Sequence, residues 1–223
     1  MSQPVIVVLG AGPGVGASVA RRYGREGYAA GLVSLPAEDL EKLGQQLQSE
    51  GITTGWAPVD VTDQEGLTEA IKRFGGFAEG IDVLLFNPSA FRQKDLLELG
   101  VDELLEDVAL GVGGLLTAVQ AARPFMRAGA RITATGSMAA DEPWHEAATL
   151  GVQKAGLRNL VRSIDARLSP EGIRAVTVTV RGTLGKGTPF DADYVADALY
   201  AAAHQDEDSW RTEVPFTGGP TAT

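Results

Sequence analysis

An uninterrupted apolar run, Val5 to Leu9, ends in Gly10-Ala11-Gly12-Pro13-Gly14-Val15-Gly16 and passes into a helical pattern from Ala17 to Tyr23. This order of strand, glycine turn and helix limits the chain more than any other feature. A strand without polar alternation is buried on both faces, as in a parallel sheet. Glycines at the turn let backbone N–H groups and the positive end of the helix dipole reach a pyrophosphate with no side chains in between. The strand before and the helix after supply the context that a dinucleotide-binding turn requires. The plainer reading of the same residues is a simple strand-to-helix turn.

The alternation continues along the chain. Apolar, β-branched segments at Ala29–Ser34, Thr53–Val59, Ile81–Phe86, Arg131–Thr135 and Ile173–Val180 read as strands. Between and after them, Ala37–Ser49, Asp63–Phe74, Val101–Arg127, Thr149–Leu168 and Asp191–His204 carry helical periodicity. Repeated βα units imply an α/β fold: a Rossmann-type, doubly wound parallel sheet of about seven strands with helices on both faces and right-handed crossovers. No linker divides residues 1–223, so one domain is expected, with ligands at the C-terminal ends of the strands.

Composition narrows the chemistry. The absence of cysteine removes disulfides, thiolate nucleophiles and cysteine-ligated metals, and His145 and His204 stand apart from any ligand-spaced carboxylate, so no metal is expected. A net charge of −10 argues against nucleic acid and anionic membranes as partners. Met1 to Pro4 lead straight into the first strand, and no apolar run reaches spanning length, so a soluble cytoplasmic protein with a small-molecule substrate is expected.

Gly10, Gly14 and Gly16 form a G-x-x-x-G-x-G turn, Asp60-Val61 follows the third strand, Asn87 follows the fourth, and Ser137 and Lys154 come later. With Ala121 to Met126, Leu157 to Leu160 and Pro170 to Arg174, these residues give the chain a resemblance to the short-chain dehydrogenase/reductases along nearly its whole length. The resemblance implies NAD(P)(H) as cofactor, seated by Gly10, Gly14, Gly16, Ser34, Asp60, Val61, Asn87 and Lys154. It also implies a relay in which a serine holds the substrate oxygen, a tyrosine protonates it, a lysine lowers the tyrosine pKa and an asparagine anchors water.

The chain departs from that relay. Leu150 stands at the tyrosine position and Gly111 at the asparagine position, while the family's Asn-Asn-Ala-Gly turn reads Phe86-Asn87-Pro88-Ser89. A leucine cannot move a proton. A subset of the family resembles this chain in its tail, from Gly182-Thr183 through Pro189-Phe190 to Trp210 and Glu213, and also lacks the tyrosine. Ser137 and Lys154 remain as catalytic candidates, and His145 in the Asp141–Glu146 loop is the candidate replacement acid, its unperturbed pKa lying near neutrality. An ordinary surface histidine is the competing reading, as a turn-capping serine is for Ser137. Trp144 reads as pocket lining or as packing under the loop. Ser34-Leu35 offers neither the acid that selects a ribose hydroxyl nor the arginine that selects a 2′-phosphate, leaving NAD and NADP open. The Gly111–Gly114 cluster suggests close helix packing, or else a kink beside the pocket. Glycines at 182, 185 and 187 suggest a short, mobile loop after the sixth strand, with Arg181 and Lys186 as its cations.

Three functions are consistent with these residues. One is an atypical NAD(P)-dependent oxidoreductase on a small carbonyl or alcohol, with an unusual proton donor. A second is a non-redox dehydratase, isomerase or cyclase on the same scaffold. The third is an inactive partner subunit. The resemblance further implies a homodimer or homotetramer built through the helices at Val101–Arg127 and Thr149–Leu168.

Overall fold

The structure is a computed structural model that describes residues 3–220; Met1, Ser2 and residues 221–223 lie outside it. Seven strands form one parallel sheet in the order β3-β2-β1-β4-β5-β6-β7. They are β1 (Val5–Leu9), β2 (Ala29–Ser34), β3 (Thr54–Pro58), β4 (Val83–Phe86), β5 (Arg131–Ser137), β6 (Arg174–Val180) and β7 (Glu213–Phe216). The helices are α1 (Val15–Gly24), α2 (Ala37–Ser49), α3 (Gln64–Ala78), α4 (Val101–Val108), α5 (Gly114–Ala122), α6 (Ala148–Leu168) and α7 (Ala192–Ala203).

Alternation in β1 divides the core in two. Val5, Val7 and Leu9 point into a cluster with Leu67, Ile71, Leu115, Leu157 and Val161 from α3, α5 and α6, whereas Ile6 and Val8 join Val19, Leu43, Leu47 and Leu199 from α1, α2 and α7. Both faces of the sheet are thereby covered, which is why its strands read as continuous apolar runs. The chain winds outward from β1 to β3 and then returns to place β4 on the other side of β1. The resulting crevice lies at the C-terminal ends of β1 and β4, where the glycine turn also sits.

Several boundaries differ from the sequence reading. Helix α3 continues through Gly75-Gly76 because the Phe125 ring packs over Gly75, where a side chain would collide. The expected helix over Val101–Arg127 is present from Val101 to Phe125, its winding changing from α4 through a π-turn at Ala109–Gly113 to α5 and a 3-10 turn at Arg123–Phe125. As a whole, Val101–Phe125 does reach membrane-spanning length and apolarity, contrary to the expectation that no run would; α5 packs on α3 and α4 on α6. Strand β7 went unlocated in the sequence because it is short and contains Pro215, which an edge strand tolerates.

Candidate functional site

The turn after β1 is shaped by two close approaches. Gly10 has φ +74°, a left-handed conformation that favours glycine, and a Cβ there would stand 2.9 Å from the Pro88 nitrogen. A Cβ on Gly16 would stand 2.7 Å from the Gly10 oxygen, so α1 can pack against the turn only without one. Gly12 and Gly14, by contrast, face open space. They line a cavity of about 300 Å³ together with Val15, Gly16, Asn87, Ser89, Thr135, Gly136, Ser137, Leu150, Lys154, Val180, Gly182 and Leu184. Bare backbone at a helix N-terminus facing a cavity fits a pyrophosphate, which needs N–H groups and the dipole rather than side chains.

Asn87 ties three strand ends together. Its Nδ2 donates to the Gly10 oxygen at 3.0 Å, its Oδ1 accepts from Thr135 Oγ1 at 2.8 Å, and its backbone N–H donates to the Leu9 oxygen at 3.0 Å. Ser137, at the end of β5, caps the 3-10 turn Met138–Ala140 by accepting from the Ala139 N–H at 3.2 Å, and also lines the cavity. The capping and site readings of Ser137 are therefore compatible.

Lys154 is 4% exposed and is the one ionisable side chain lining that cavity among the described residues. Its Nζ donates to the Thr135 oxygen at 2.9 Å and reaches the Pro88 oxygen at 3.5 Å. Burial disfavours the ammonium and holds its pKa down at about 8. Beside it, Gln153 is fully buried: its Oε1 accepts from the Ala90 N–H at 3.1 Å, and its Nε2 donates to the Ala90 and Thr149 oxygens at 3.2 Å each. The amide pins the Pro88–Ala90 turn to α6 and packs on Gly111. Close packing thus accounts for Gly111, and likewise for Gly114, whose added Cβ would lie 3.0 Å from the Val61 oxygen.

A second cavity, of about 560 Å³, shares Gly12 with the first and is lined by Ala11, Pro13, Ala17, Ser34, Leu35 and Leu40. Arg21, Lys42 and Asp39 also reach it. Arg21 is paired with Glu50 at 2.8 Å, and Lys42 with Glu38 at 2.8 Å. A third cavity, of about 830 Å³ between α3 and the β2–β3 edge, is lined by Trp56, Arg73 and Phe74 and contains none of the expected site residues.

The structure thus brings Gly14, Gly16, Asn87, Ser137 and Lys154 to one cavity, and Ser34 to the adjoining one. Gly10 shapes the turn from behind. Asp60 lines neither cavity; it is exposed and accepts from the Thr62 N–H and hydroxyl at 2.8 Å each, while Val61 is buried against Gly114. His145 is exposed and lies outside the lining of both. Trp144 is exposed as well, its ring beside Phe91 at 5.9 Å rather than in the pocket or the core. Past β6, the expected mobile loop is a bonded turn: Gly187 N–H donates to Asp191 at 2.6 Å, Gly185 N–H to the Phe190 oxygen at 3.3 Å, and Phe190 packs on Gly182. Arg181 is engaged with Asp141 at 2.9 Å.

The model of the short chain dehydrogenase family matches residues 4–193. The chain belongs to that family. Its relatives include an uncharacterized oxidoreductase of Listeria monocytogenes, 28% identical over 182 residues covering 79% of this chain and 72% of that one. Another, from Staphylococcus aureus strain MW2, is 23% identical over 181 residues, 80% of this chain and 78% of its own. Among solved structures, a dehydrogenase/reductase from Sinorhizobium meliloti superposes with a TM-score of 0.88 at 22% identity, covering 98% of this chain and 95% of that one. A short chain dehydrogenase from Burkholderia cenocepacia, solved in complex with NADP, gives 0.87 at 22% identity over 97% of both chains.

Proposed function

We propose that this protein is an NAD(P)-dependent oxidoreductase that interconverts a small carbonyl compound and its alcohol, with Lys154 as the source of the proton. Its family membership and relatives named as oxidoreductases support the general activity. The observation that carries the finer reading is the cavity joining bare Gly12 and Gly14 to Ser137 and Lys154, with Lys154 as the one titratable group on its lining. Gly12, Gly14 and the first turn of α1 hold the pyrophosphate, and Asn87 keeps the glycine turn in place. The nicotinamide supplies hydride when bound.

In this reading Leu150 takes the place of the family's tyrosine, so no phenol stands between the lysine and the substrate oxygen. The Ser137 hydroxyl orients that oxygen, and the Lys154 ammonium gives it a proton as it becomes an alcohol, directly or through one water. His145, exposed on its loop, has no part in the transfer. A positioned acid contributes typically about 10²–10⁴-fold.

Calorimetric titration with NADPH and NADH, followed by an assay of NADPH oxidation against a panel of small aldehydes and ketones, tests this reading. Micromolar binding of either nucleotide with carbonyl-dependent oxidation supports it. Absence of binding at millimolar nucleotide overturns it. Turnover that survives Lys154→Met but is lost in His145→Ala would return the proton to the loop histidine.

A further inference from the structure

We propose that Lys154 is also a Schiff-base nucleophile, its amine condensing with a small apolar aldehyde or ketone seated in the cavity at Ser137 and Leu150. The inference rests on the reading that this cavity receives a carbonyl compound, and it adds a covalent chemistry that hydride transfer does not use.

Burial without a charged partner favours the neutral amine. A neutral amine has two N–H groups, and two backbone oxygens, those of Thr135 and Pro88, face this one. No carboxylate pairs with Lys154 among the described residues. Lys42, Lys72 and Lys94, by contrast, are held by Glu38, Glu69 and Glu103, and Lys186 is exposed. Val15, Leu150, Val180 and Leu184 supply apolar wall on the cavity side. A lysine desolvated in a hydrophobic pocket is the usual setting for carbonyl condensation.

The step balances without an external oxidant or reductant. The Nζ lone pair forms a bond to the carbonyl carbon, and the π pair moves to the carbonyl oxygen, which takes a proton from water. Nitrogen returns a proton to that water, and the carbinolamine so formed loses its hydroxyl together with the second nitrogen proton, carried by water, as the C=N bond closes. Nothing is oxidised or reduced, and one water is released for each imine formed. Ser137 lies on the same cavity lining and can donate to the oxygen as it departs.

Trapping tests the proposal in the intact protein. Butanal with sodium cyanoborohydride reduces any imine to a stable butyl-lysine, and peptide mapping by mass spectrometry then locates it. At low aldehyde and short times, Lys154 is expected to be labelled ahead of the four other lysines, with a rate that rises as pH is raised through about 8. Lys154→Met is expected to abolish the adduct; if that variant fails to fold, the wild-type map decides alone. Labelling of Lys42, Lys72, Lys94 or Lys186 with Lys154 unmodified overturns the proposal. Protection by NADPH places the two chemistries in one cavity. An adduct at Lys154 that NADPH leaves unchanged upholds the nucleophile and counts against the nicotinamide seat, while NADPH binding without an adduct does the reverse.

Discussion

The side chain of Gln153 occupies the volume that Gly111 leaves empty. A Cβ on Gly111 would collide with Gln153 Oε1 and lie 2.8 Å from its Cγ, while the same amide makes all three of its hydrogen bonds to Ala90 and Thr149. The two residues therefore constrain each other: a side chain at 111 has room only if the one at 153 shrinks. Gly111→Asn is expected to destabilise the protein by about 1–3 kcal/mol through overpacking. Gln153→Ser loses hydrogen bonds and leaves a void, yet the double variant is expected to be more stable than the sum of the two losses allows. Urea denaturation of the four proteins measures the coupling; strict additivity would show that the contact carries no energetic constraint.

Asn87 gives a simpler case. Asn87→Leu keeps the volume but removes a donor to Gly10 and an acceptor for Thr135. Leaving those partly buried groups unpaired costs about 1–3 kcal/mol, and it frees the glycine turn on which nucleotide binding depends. Stability is expected to fall and NADPH affinity to fall with it. Loss of stability with affinity intact would confine Asn87 to a structural role.

Cofactor preference follows from residues that meet only in the folded chain. Arg21 on α1 and Lys42 on α2 reach the cavity beside Ser34, against one carboxylate, Asp39. A 2′-phosphate that displaces Glu50 from Arg21 and Glu38 from Lys42 gains both cations, and on that exchange NADPH is expected to bind more tightly than NADH. Both cations are partly exposed and already paired. Replacing Lys42 by alanine should therefore cost only about 1 kcal/mol, roughly fivefold in Kd, for NADPH and little for NADH. Equal losses for the two nucleotides would remove Lys42 from phosphate recognition.

These residues also show what a linear reading can recover. The strand, glycine turn and helix from Val5 to Tyr23 are local in sequence, and so were legible, as were the strands whose burial on both faces makes them uniformly apolar. Lys154 and Ser137 were found by their spacing within a known pattern, and the cavity does bring them together. Gln153 was missed because a glutamine on a helix ordinarily faces solvent; only its packing on Gly111, from a distant segment, makes it a core residue. Arg21 and Lys42 lie on two different helices, and only the fold brings them to the cavity beside Ser34. His145 was chosen on its chemistry alone, and the loop carries it to the surface. The π-turn at Ala109–Gly113 overlaps the Gly111–Gly114 cluster, so an irregular helix was legible there although its kind was not, since helical periodicity on either side reads the same.

The helices expected to pair carry exposed apolar side chains. Val101 and Leu105 on α4, Leu116 on α5 and Val152 on α6 are 46–70% exposed. We expect a homodimer formed across these helices. Light scattering on the purified protein should give twice the chain mass, and Leu105→Lys should shift it toward the monomer. A monomer at micromolar concentration in the wild-type protein would exclude the pairing.

The most direct test of the proton's origin is pH. Burial lowers the Lys154 pKa to about 8 from 10.5, so the ammonium that the proposed reduction requires is present below pH 8 and is lost above it. Carbonyl reduction is expected to be flat below pH 8 and then to fall by about tenfold per pH unit, while alcohol oxidation, which needs a proton acceptor, rises over the same range. Stability moves in the same window with a definite sign. Between about pH 8 and 10.5 the unfolded chain binds the Lys154 proton and the folded chain does not, so stability increases with pH there. Below pH 8 the cost of burying the charge is present in full; above 10.5 it is gone. Lys154→Met has no such group. Wild type should therefore gain on the variant between pH 7.5 and 10, by on the order of 2 kcal/mol in urea denaturation. Parallel stability curves for the two proteins would mean that the folded lysine keeps its ordinary pKa. A fall in reduction rate above pH 8 would then have to come from another group.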